Sequence, residues 1–203
     1  MNNSIIFVRV ATKADAKYAE EIVAETQSSA LLRGSGISKR TPASVIEKMN
    51  AGKAVIAVTA AGEWVGFSYF ESWEKDTFIS NSGLIVAPKF RNSGVAKSIK
   101  NRIFSLSRRL YPDAKIFSIT SGAAIMKMNS QLGFEPVTFA QITQDAAFWD
   151  GCKSCVNYPI LESKNKSNCL CTAMLFSPEH IDQIIASAEN TLQLKQNLNL
   201  KSI

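Results

Sequence analysis

The chain has 203 residues, of which 46% are hydrophobic and 20% charged, and it carries a formal net charge of +6. These values are typical of a globular protein with one sizeable core. No apolar run approaches the roughly 18 residues that a membrane-spanning helix needs, and no basic segment precedes the short apolar run at the N-terminus, so we expect a cytoplasmic protein without a signal peptide. The modest charge, with no RNA-binding aromatic motif, argues against a nucleic-acid partner and suits an anionic cofactor or an acidic small substrate.

The first half of the chain predicts one strand, two helices and an antiparallel meander of three strands. Thr12 and Thr41 are suitable N-caps, and Pro42 suits the first position of a helix. Short polar segments turn each meander strand back on the next. In chain order the predicted elements are a strand at 4–10, a helix at 13–32, a loop at 33–42, a helix at 42–50, and strands at 53–59, 64–73 and 77–86.

The second half continues with alternating helices and strands. Apolar residues recur at helical spacing from Val95 to Leu110, and Gly133 is a suitable cap for the end of the next helix. The predicted elements are a helix at 95–110, a strand at 115–120, a helix at 123–132, a strand at 134–139, a polar insert at about 140–168, a strand at 169–176 and a helix at about 178–195. This order predicts an α/β (α+β) fold. A single domain over residues 1–203 would have a mixed central sheet, flanking helices and a cysteine-bearing insert before the last strand.

A short cationic turn, Arg91-Asn92-Ser93-Gly94, joins the strand ending at Val86 to the following helix. Gly94 lets the backbone adopt a positive φ or approach a ligand closely. The first amides of a helix have no intrahelical partner, and with the helix dipole they favour an anion such as a pyrophosphate. Arg91 would add a charged fork. The alternative is a plain helix start beside a solvated arginine. A P-loop and a Rossmann fingerprint are both excluded by their missing residues.

Three segments resemble the GNAT superfamily of acyltransferases, and they occur in that family's order. Arg91, Gly94 and Ala96 match motif A, Arg/Gln-x-x-Gly-x-Gly/Ala, after the apolar run "GLIVAP". The segment "VRVATKADA" (8–16) is similar to the family's opening strand and helix. The segment "MNSQLGFEP" (128–136) is similar to motif B, which closes with a Gly-Phe pair. The resemblance covers roughly residues 5–139 and the strand at 169–176, and it implies the GNAT fold.

The resemblance also implies an N-acyltransferase that uses acetyl-CoA, or another acyl-CoA, as co-substrate. The acceptor amine would attack the thioester directly, without an acyl-enzyme, where the strand ending at 84–86 splays from the strand at 115–120. A backbone N–H near Val86 would stabilise the oxyanion. The residues that the resemblance assigns to coenzyme A are Leu84, Ile85, Val86, Arg91, Asn92, Ser93, Gly94, Val95 and Ala96.

The catalytic acid and base match the family less completely. Its general acid is often a Tyr four residues before the motif B glycine, where this chain has Asn129. An amide can hydrogen-bond the leaving sulfur but donates no proton at neutral pH, and Asn129 could instead be a helix-surface residue. The candidate base is Glu71, which strand alternation places on one face with Phe67 and Tyr69; the alternative is a solvated charge at a strand end. His180, the single histidine, is expected on the surface.

Cations cluster around the expected acceptor site. The loop at 33–42 contains Arg33, Lys39 and Arg40 without an acid, and Lys127 lies on the motif B helix. Such a set favours a small acceptor with a carboxylate, unless these are ordinary surface charges or bind the phosphates of coenzyme A. The segments "RGSGISKRTP", "ESW" and "TSGAAIMKMN", with the late cysteines, are similar to a GNAT branch found with bacterial arginine-biosynthesis enzymes. That branch would imply N-acylation of glutamate by acetyl-CoA or succinyl-CoA.

All four cysteines lie in the last third of the chain. Cys152 and Cys155 form a C-x-x-C pair in the insert. Cys169 and Cys171 form a C-x-C pair on the predicted last strand, where alternation places both thiols on one face. If the insert brings the two pairs together, they could form a closed, structural zinc site. Free thiols and redox-active disulfides are the alternatives.

Other classes of function stay open on the sequence alone. One is a GNAT-like module that binds coenzyme A or a metabolite without turnover, and another is a zinc-stapled interaction domain. An acetyltransferase of a protein amine is a third. The last predicted helix has an apolar stripe that would either form a homodimer or cover the chain's own sheet; it comprises Ile181, Ile184, Ile185 and Ala188.

Overall fold

The computed structural model describes residues 5–179. Its strands are β1 (Ile6–Val10), β2 (Ala54–Thr59), β3 (Trp64–Trp73), β4 (Phe78–Val86), β5 (Lys115–Thr120), β6 (Glu135–Val137) and β7 (Thr172–Phe176). Its α-helices are α1 (Ala19–Leu32), α2 (Pro42–Asn50), α3 (Val95–Leu110), α4 (Ala123–Ser130), α5 (Ala146–Gly151) and α6 (Tyr158–Ser163). The predicted C-terminal helix, with its apolar stripe and His180, lies outside the described residues. Within that range no helix combines the length and the apolar character that crossing a membrane requires.

The strands form one seven-stranded sheet in the order β1-β2-β3-β4-β5-β7-β6. Neighbours are antiparallel except for β4 and β5, which are parallel. The meander of β2, β3 and β4 is therefore confirmed. After the insert, β7 returns between β5 and β6 and pairs with both. The mixed sheet with flanking helices that the element order predicted is confirmed as well.

The sheet separates two apolar cores. On one face, Ile99 and Ile103 of α3 pack with strand residues such as Val65. On the other face, Ile22 of α1 and Met49 of α2 pack against the same sheet. Because both faces of β2 are covered, all six of its residues are buried, as expected of a central strand that reads as a continuous apolar run.

A β-bulge in β4 shapes the middle of the sheet. The β3–β4 register shifts between the pairs Phe67↔Ile85 and Tyr69↔Ser82, so β4 accommodates one extra residue there. Gly83 lies in this bulge with a φ of +66°, and a Cβ at this position would stand 2.5 Å from the ring of Tyr69. The position therefore requires glycine twice, for its left-handed backbone and for its missing side chain. A glycine inside a strand is the sequence signal for such a bulge.

The last two strands are shorter than the sequence predicted. Strand β7 begins at Thr172 and not at Cys169, because Thr120, the last residue of β5, already pairs with Thr172. Cys169 and Cys171 therefore lie before the strand, and the predicted shared strand face is wrong. Strand β6 has three residues: it ends where Thr138 caps a 3-10 turn. Between them the insert folds as α5 and α6 over a third apolar cluster that includes Trp149 and Leu161.

We expect Gly83→Ala to destabilise the fold more than the same change at Gly52. Gly52 has a similar φ of +68°, but a Cβ there meets nothing within 4 Å. Gly52→Ala should therefore cost only the left-handed backbone penalty of about 1–2 kcal/mol. Gly83→Ala should add about 1–3 kcal/mol for the clash with the Tyr69 ring. Chemical denaturation of both variants measures the difference. Equal losses of unfolding free energy would show that the Tyr69 ring moves without cost and would contradict this prediction.

Candidate functional site

A cleft opens where β4 and β5 stop pairing. The two strands are in register only from Phe78↔Lys115 to Ser80↔Phe117, and the bulge at Gly83 follows directly in β4. The resulting cleft has a volume of about 530 Å³. Its walls come from β4, β5, α3 and the loop between α1 and α2; they include Arg33, Arg40, Asn81, Ser82, Leu84, Lys100, Ser118, Thr120 and Cys171.

The turn before α3 has the backbone of an anion site. Gly94 caps the helix with a φ of +83°, and Asn92 has a φ of +61°. The first donors within the helix are Lys97 and Ser98, whose amides both bond to the carbonyl of Gly94. The amides that precede them point out of the helix end, where left-handed residues and the helix dipole favour an anion. The turn can hold a phosphate group through its backbone.

Arg91 is not free to offer its guanidinium to a ligand at this turn. Its Nη2 donates to Glu25 Oε1 at 2.5 Å and to Ser29 Oγ at 2.6 Å, both on α1. Its Nε donates to the carbonyl of Val86 at 3.2 Å. In this arrangement Arg91 ties α1 to the end of β4, and the anion-binding capacity of the turn depends mainly on backbone amides.

A second cavity, the side pocket, has a volume of about 310 Å³ and lies between α2, β3 and the loop at 33–41. Arg40 lines the side pocket and the cleft. Its Nε donates to Tyr69 Oη at 3.0 Å, and its Nη1 donates to the carbonyl of Ser38 at 3.1 Å. Among residues 5–179 no carboxylate pairs with Arg40. The guanidinium is held in place by neutral partners and keeps its charge available to a ligand.

Glu71 lines the side pocket together with Tyr69, as strand alternation predicted. Its Oε1 lies 2.6 Å from Lys48 Nζ. Burial favours the neutral amine of Lys48, but the hydrogen bond and charge of Glu71, with the charge of Glu47, outweigh it, so the pKa of Lys48 lies above its ordinary value. Glu71 is thus a paired carboxylate at the pocket wall, and not a solvated charge. To accept a proton it would have to leave or share this ion pair.

Asn129 is fully buried, so the reading of this residue as a helix-surface amide is wrong. Its Nδ2 lies 3.5 Å from the sulfur of Met174, and its Oδ1 has no hydrogen-bond partner among the described residues. The other predicted cations differ in position. Arg33 lines the cleft and Lys39 lines the side pocket, whereas Lys127 is exposed on α4 and lines neither of them.

The four cysteines line a third cavity of about 170 Å³, which the loop at 33–41 covers from the other side. All four are free thiols. The predicted zinc site is not supported, because no group of three or more ligating side chains in residues 5–179 is placed to hold a metal ion. Burial raises the pKa of Cys152 to about 11 and that of Cys171 to about 12, so both are protonated thiols near neutral pH.

Lys100 is a cleft residue that the sequence reasoning missed. It follows Ile99 on α3, is 3% exposed and reaches into the cleft wall. Burial lowers its pKa to about 7. Lys100 lies three residues before Ile103 and next to Ile99, on the apolar face of α3. A lysine at such a position is the signal that could have identified it, because lysine is almost never fully buried without a partner.

The comparisons with known proteins rest on structure. No protein-family model and no curated protein matches the chain. Among solved structures, N-acetylglutamate synthase from Neisseria gonorrhoeae, complexed with coenzyme A and N-acetyl-glutamate, is similar over 87% of this chain, with 11% identity and a TM-score of 0.60. The match spans only 36% of that enzyme's chain.

Two shorter proteins match along most of their own length. A Mycobacterium tuberculosis protein in complex with CoA has 16% identity and a TM-score of 0.58, over 84% of this chain and 98% of that one. A GNAT-family acetyltransferase from Staphylococcus aureus has 14% identity and a TM-score of 0.55, over 70% of this chain and 92% of that one. These likenesses agree with the mixed sheet and its flanking helices. The fold that the three sequence motifs predicted is therefore confirmed: this chain has the GNAT fold of the acetyltransferases that it resembles.

Proposed function

We propose that this protein is an acyl-CoA-dependent N-acyltransferase, most simply an N-acetyltransferase, whose acceptor is a small amine that carries a carboxylate. Free glutamate is the first acceptor to test. One observation carries the proposal: the cleft where β4 and β5 diverge is lined by the guanidinium of Arg40, with which no carboxylate among residues 5–179 pairs, and β4 leads from this cleft to the anion-binding turn before α3. A ligand with phosphates at one end and a reactive thioester at the other suits such a cleft.

The turn and the cleft would each offer coenzyme A one kind of contact. The amides of the turn would hold the pyrophosphate. Beyond Ser80 the β5-facing edge of β4 has no strand partner, so its backbone groups can pair with the amides of the pantetheine arm in the manner of an added strand. The thioester would then lie deep in the cleft, where an N–H near Val86 can stabilise the oxyanion that forms on attack.

The acceptor would enter through the side pocket. Its wall carries Lys39, Arg40 and Lys48 against the single carboxylate of Glu71, which Lys48 already neutralises. The surplus positive charge favours an anionic substrate, and the planar fork of Arg40 suits a carboxylate. Of the residues assigned from the resemblance, Arg40 is the strongest acceptor-binding candidate. The similar structure of N-acetylglutamate synthase, which holds coenzyme A and N-acetyl-glutamate, is the reason for choosing glutamate among the acidic acceptors.

A second candidate function is a coenzyme A-binding module without turnover. The specific observation in its favour is that neither assigned catalytic residue is ready to transfer a proton. Asn129 is a buried amide, and Glu71 is engaged by Lys48. Thiol release from an acyl-CoA in the presence of an acceptor separates the two functions.

We expect Asn92→Asp to weaken coenzyme A binding. The change adds one negative charge at the turn and preserves the shape of a residue that already has a positive φ, which Asp tolerates. A like charge about 4 Å from the pyrophosphate costs about 1 kcal/mol even at the dielectric constant of water, so the dissociation constant should rise fivefold or more. Isothermal titration calorimetry at low salt measures it, and added salt should reduce the effect.

The matched control for this experiment is Asn165→Asp. Asn165 is also exposed and also has a positive φ, of +49°, but it lies in the insert. This variant should bind coenzyme A like the wild type. If both variants bind coenzyme A with equal affinity, the turn is not part of the binding site. If the wild type does not bind coenzyme A, the proposed function is refuted.

We expect Arg40→Met to reduce the preference for acidic acceptors. Thiol release from acetyl-CoA and from succinyl-CoA, measured against a panel of free amino acids, should show turnover with glutamate above that with glutamine. In Arg40→Met the ratio of kcat/KM for glutamate over glutamine should fall ten- to hundredfold, the magnitude expected for a lost charge-assisted hydrogen bond. A structural defect would lower both values and leave the ratio unchanged.

The exposed Arg109 on α3 provides a charge-matched control, since it lies on the solvent side of the helix's last turn. Arg109→Met should keep the wild-type ratio. If the wild type binds coenzyme A but acylates no amino acid, the small-acceptor proposal fails, and protein amines or the non-catalytic module take its place.

A further inference from the structure

Lys100 is the one lysine or arginine that is buried among residues 5–179. It makes no hydrogen bond and no ion pair within that range, and its described contact is with the ring of Phe134, 5.1 Å from Nζ to the centroid. A buried ammonium without a partner is costly, and a ring face compensates only part of that cost. Such a residue either gives up its proton or binds a partner that residues 5–179 do not supply.

The position of Lys100 points to a partner inside the cleft. Helix α3 starts at the turn and packs over β3 and β4. Further along, Ser107 of α3 receives a hydrogen bond from Asn81 Nδ2 at 2.9 Å, and Asn81 is the first β4 residue beyond the last β4–β5 pair. Lys100 lies between these two points and lines the cleft. Lys100 therefore lines the cleft on the stretch of α3 between the turn and the point where β4 and β5 diverge.

In the cleft the Lys100 amine can be either protonated or neutral near pH 7. The titratable side chains that line the cleft with Lys100 are Arg33, Arg40 and Cys171, and no carboxylate lines it within the described range. Burial lowers the pKa of Lys100 to about 7. Near neutral pH the group can therefore hold a proton and can also release one. Asn81 also lines the cleft, and its buried Oδ1 has no hydrogen-bond partner in the described part of the chain.

We propose that Lys100 is the charge partner and proton donor of the coenzyme A sulfur in the cleft. The inference rests on the proposed function, because it requires coenzyme A to bind there. It assigns to a lysine of α3 the task that Asn129, an amide without an acidic proton, does not perform.

The proton balance of the transfer closes without a further reactant. The nitrogen of the neutral acceptor amine forms a bond to the thioester carbonyl carbon, and the C–S bond breaks with its electron pair on sulfur. The Lys100 ammonium gives its proton to that thiolate, which leaves as the free thiol of coenzyme A. The new amide nitrogen then loses its extra proton to the neutral Lys100 amine, directly or through water, and the ammonium is restored.

The test compares wild type with Lys100→Met, which keeps the length of the side chain and removes the amine. The ionisation of the thiol of bound coenzyme A is followed by the ultraviolet absorbance of the thiolate, without any turnover. In the wild type the acid dissociation constant of the bound thiol should be at least tenfold larger than in Lys100→Met. The affinity at pH 8 should fall about tenfold for coenzyme A in the variant and stay unchanged for desulfo-coenzyme A, which lacks the sulfur.

Folding of the variant is checked separately. In the unfolded protein the Lys100 amine stays protonated up to about pH 10.5, whereas in the folded protein it loses its proton above about pH 7. The free energy of unfolding of the wild type should therefore rise between about pH 7 and 10.5. Lys100→Met should be at least as stable as the wild type at pH 6, and the gap should narrow as pH rises. The exposed Lys13→Met provides the control that changes neither thiol ionisation nor this pH dependence.

The outcomes separate the two proposals. If both proteins bind coenzyme A and its thiol ionises identically in each, Lys100 is not its partner, and the proposed function stands. If Lys100→Met loses affinity for coenzyme A and desulfo-coenzyme A equally, the residue supports the cleft only structurally, and the inference is likewise overturned. If the wild type binds neither ligand, both the inference and the proposed function fail.

Discussion

The divergence of β4 and β5 is the constraint on which the candidate site depends. Parallel strands in a sheet satisfy each other's backbone groups, so a protein that separates two of them must supply another partner or leave polar groups exposed. In this chain the separation begins after three residue pairs and is fixed by the extra residue of the β4 bulge. The cleft is therefore a property of backbone geometry, and the side chains around it adapt that geometry to particular ligands.

Two elements hold the diverging strands apart and in position. Arg91 connects the end of β4 to α1 through Glu25, Ser29 and the Val86 carbonyl. At the other end, Asn81 connects the start of the divergence to α3. Since α1 and α3 cover opposite faces of the sheet, the two attachments brace the cleft from both sides. The motif arginine thus contributes to the architecture of the site, whatever it adds to ligand binding.

Local patterns predicted most of the fold. Helical spacing, caps and the Gly94 turn located α2, α3 and the antiparallel meander closely, because each depends on residues near in sequence. The start of β7 was misjudged because it depends on how far β5 extends, which is a property of another segment, and the end of β6 because a 3-10 turn capped by Thr138 follows it. The site was only partly predictable for the same reason. Sequence indicated the turn and the cations of the loop, but the pairing of Glu71 with Lys48 and the burial of Asn129 and Lys100 arise from packing between distant elements.

The contact between the loop at 33–41 and the insert has a consequence for how this site can change over evolutionary time. The Lys39 amide donates to Ser154 Oγ at 2.9 Å, and a Cβ at Gly36 would lie 2.5 Å from both Cys155 Sγ and Asn157 Nδ2. Any side chain at position 36 must therefore be accompanied by a smaller residue or a backbone shift in the insert. Positions 36, 155 and 157 are therefore expected to change together, so that the insert limits which residues the loop at 33–41 can place where it covers the third cavity.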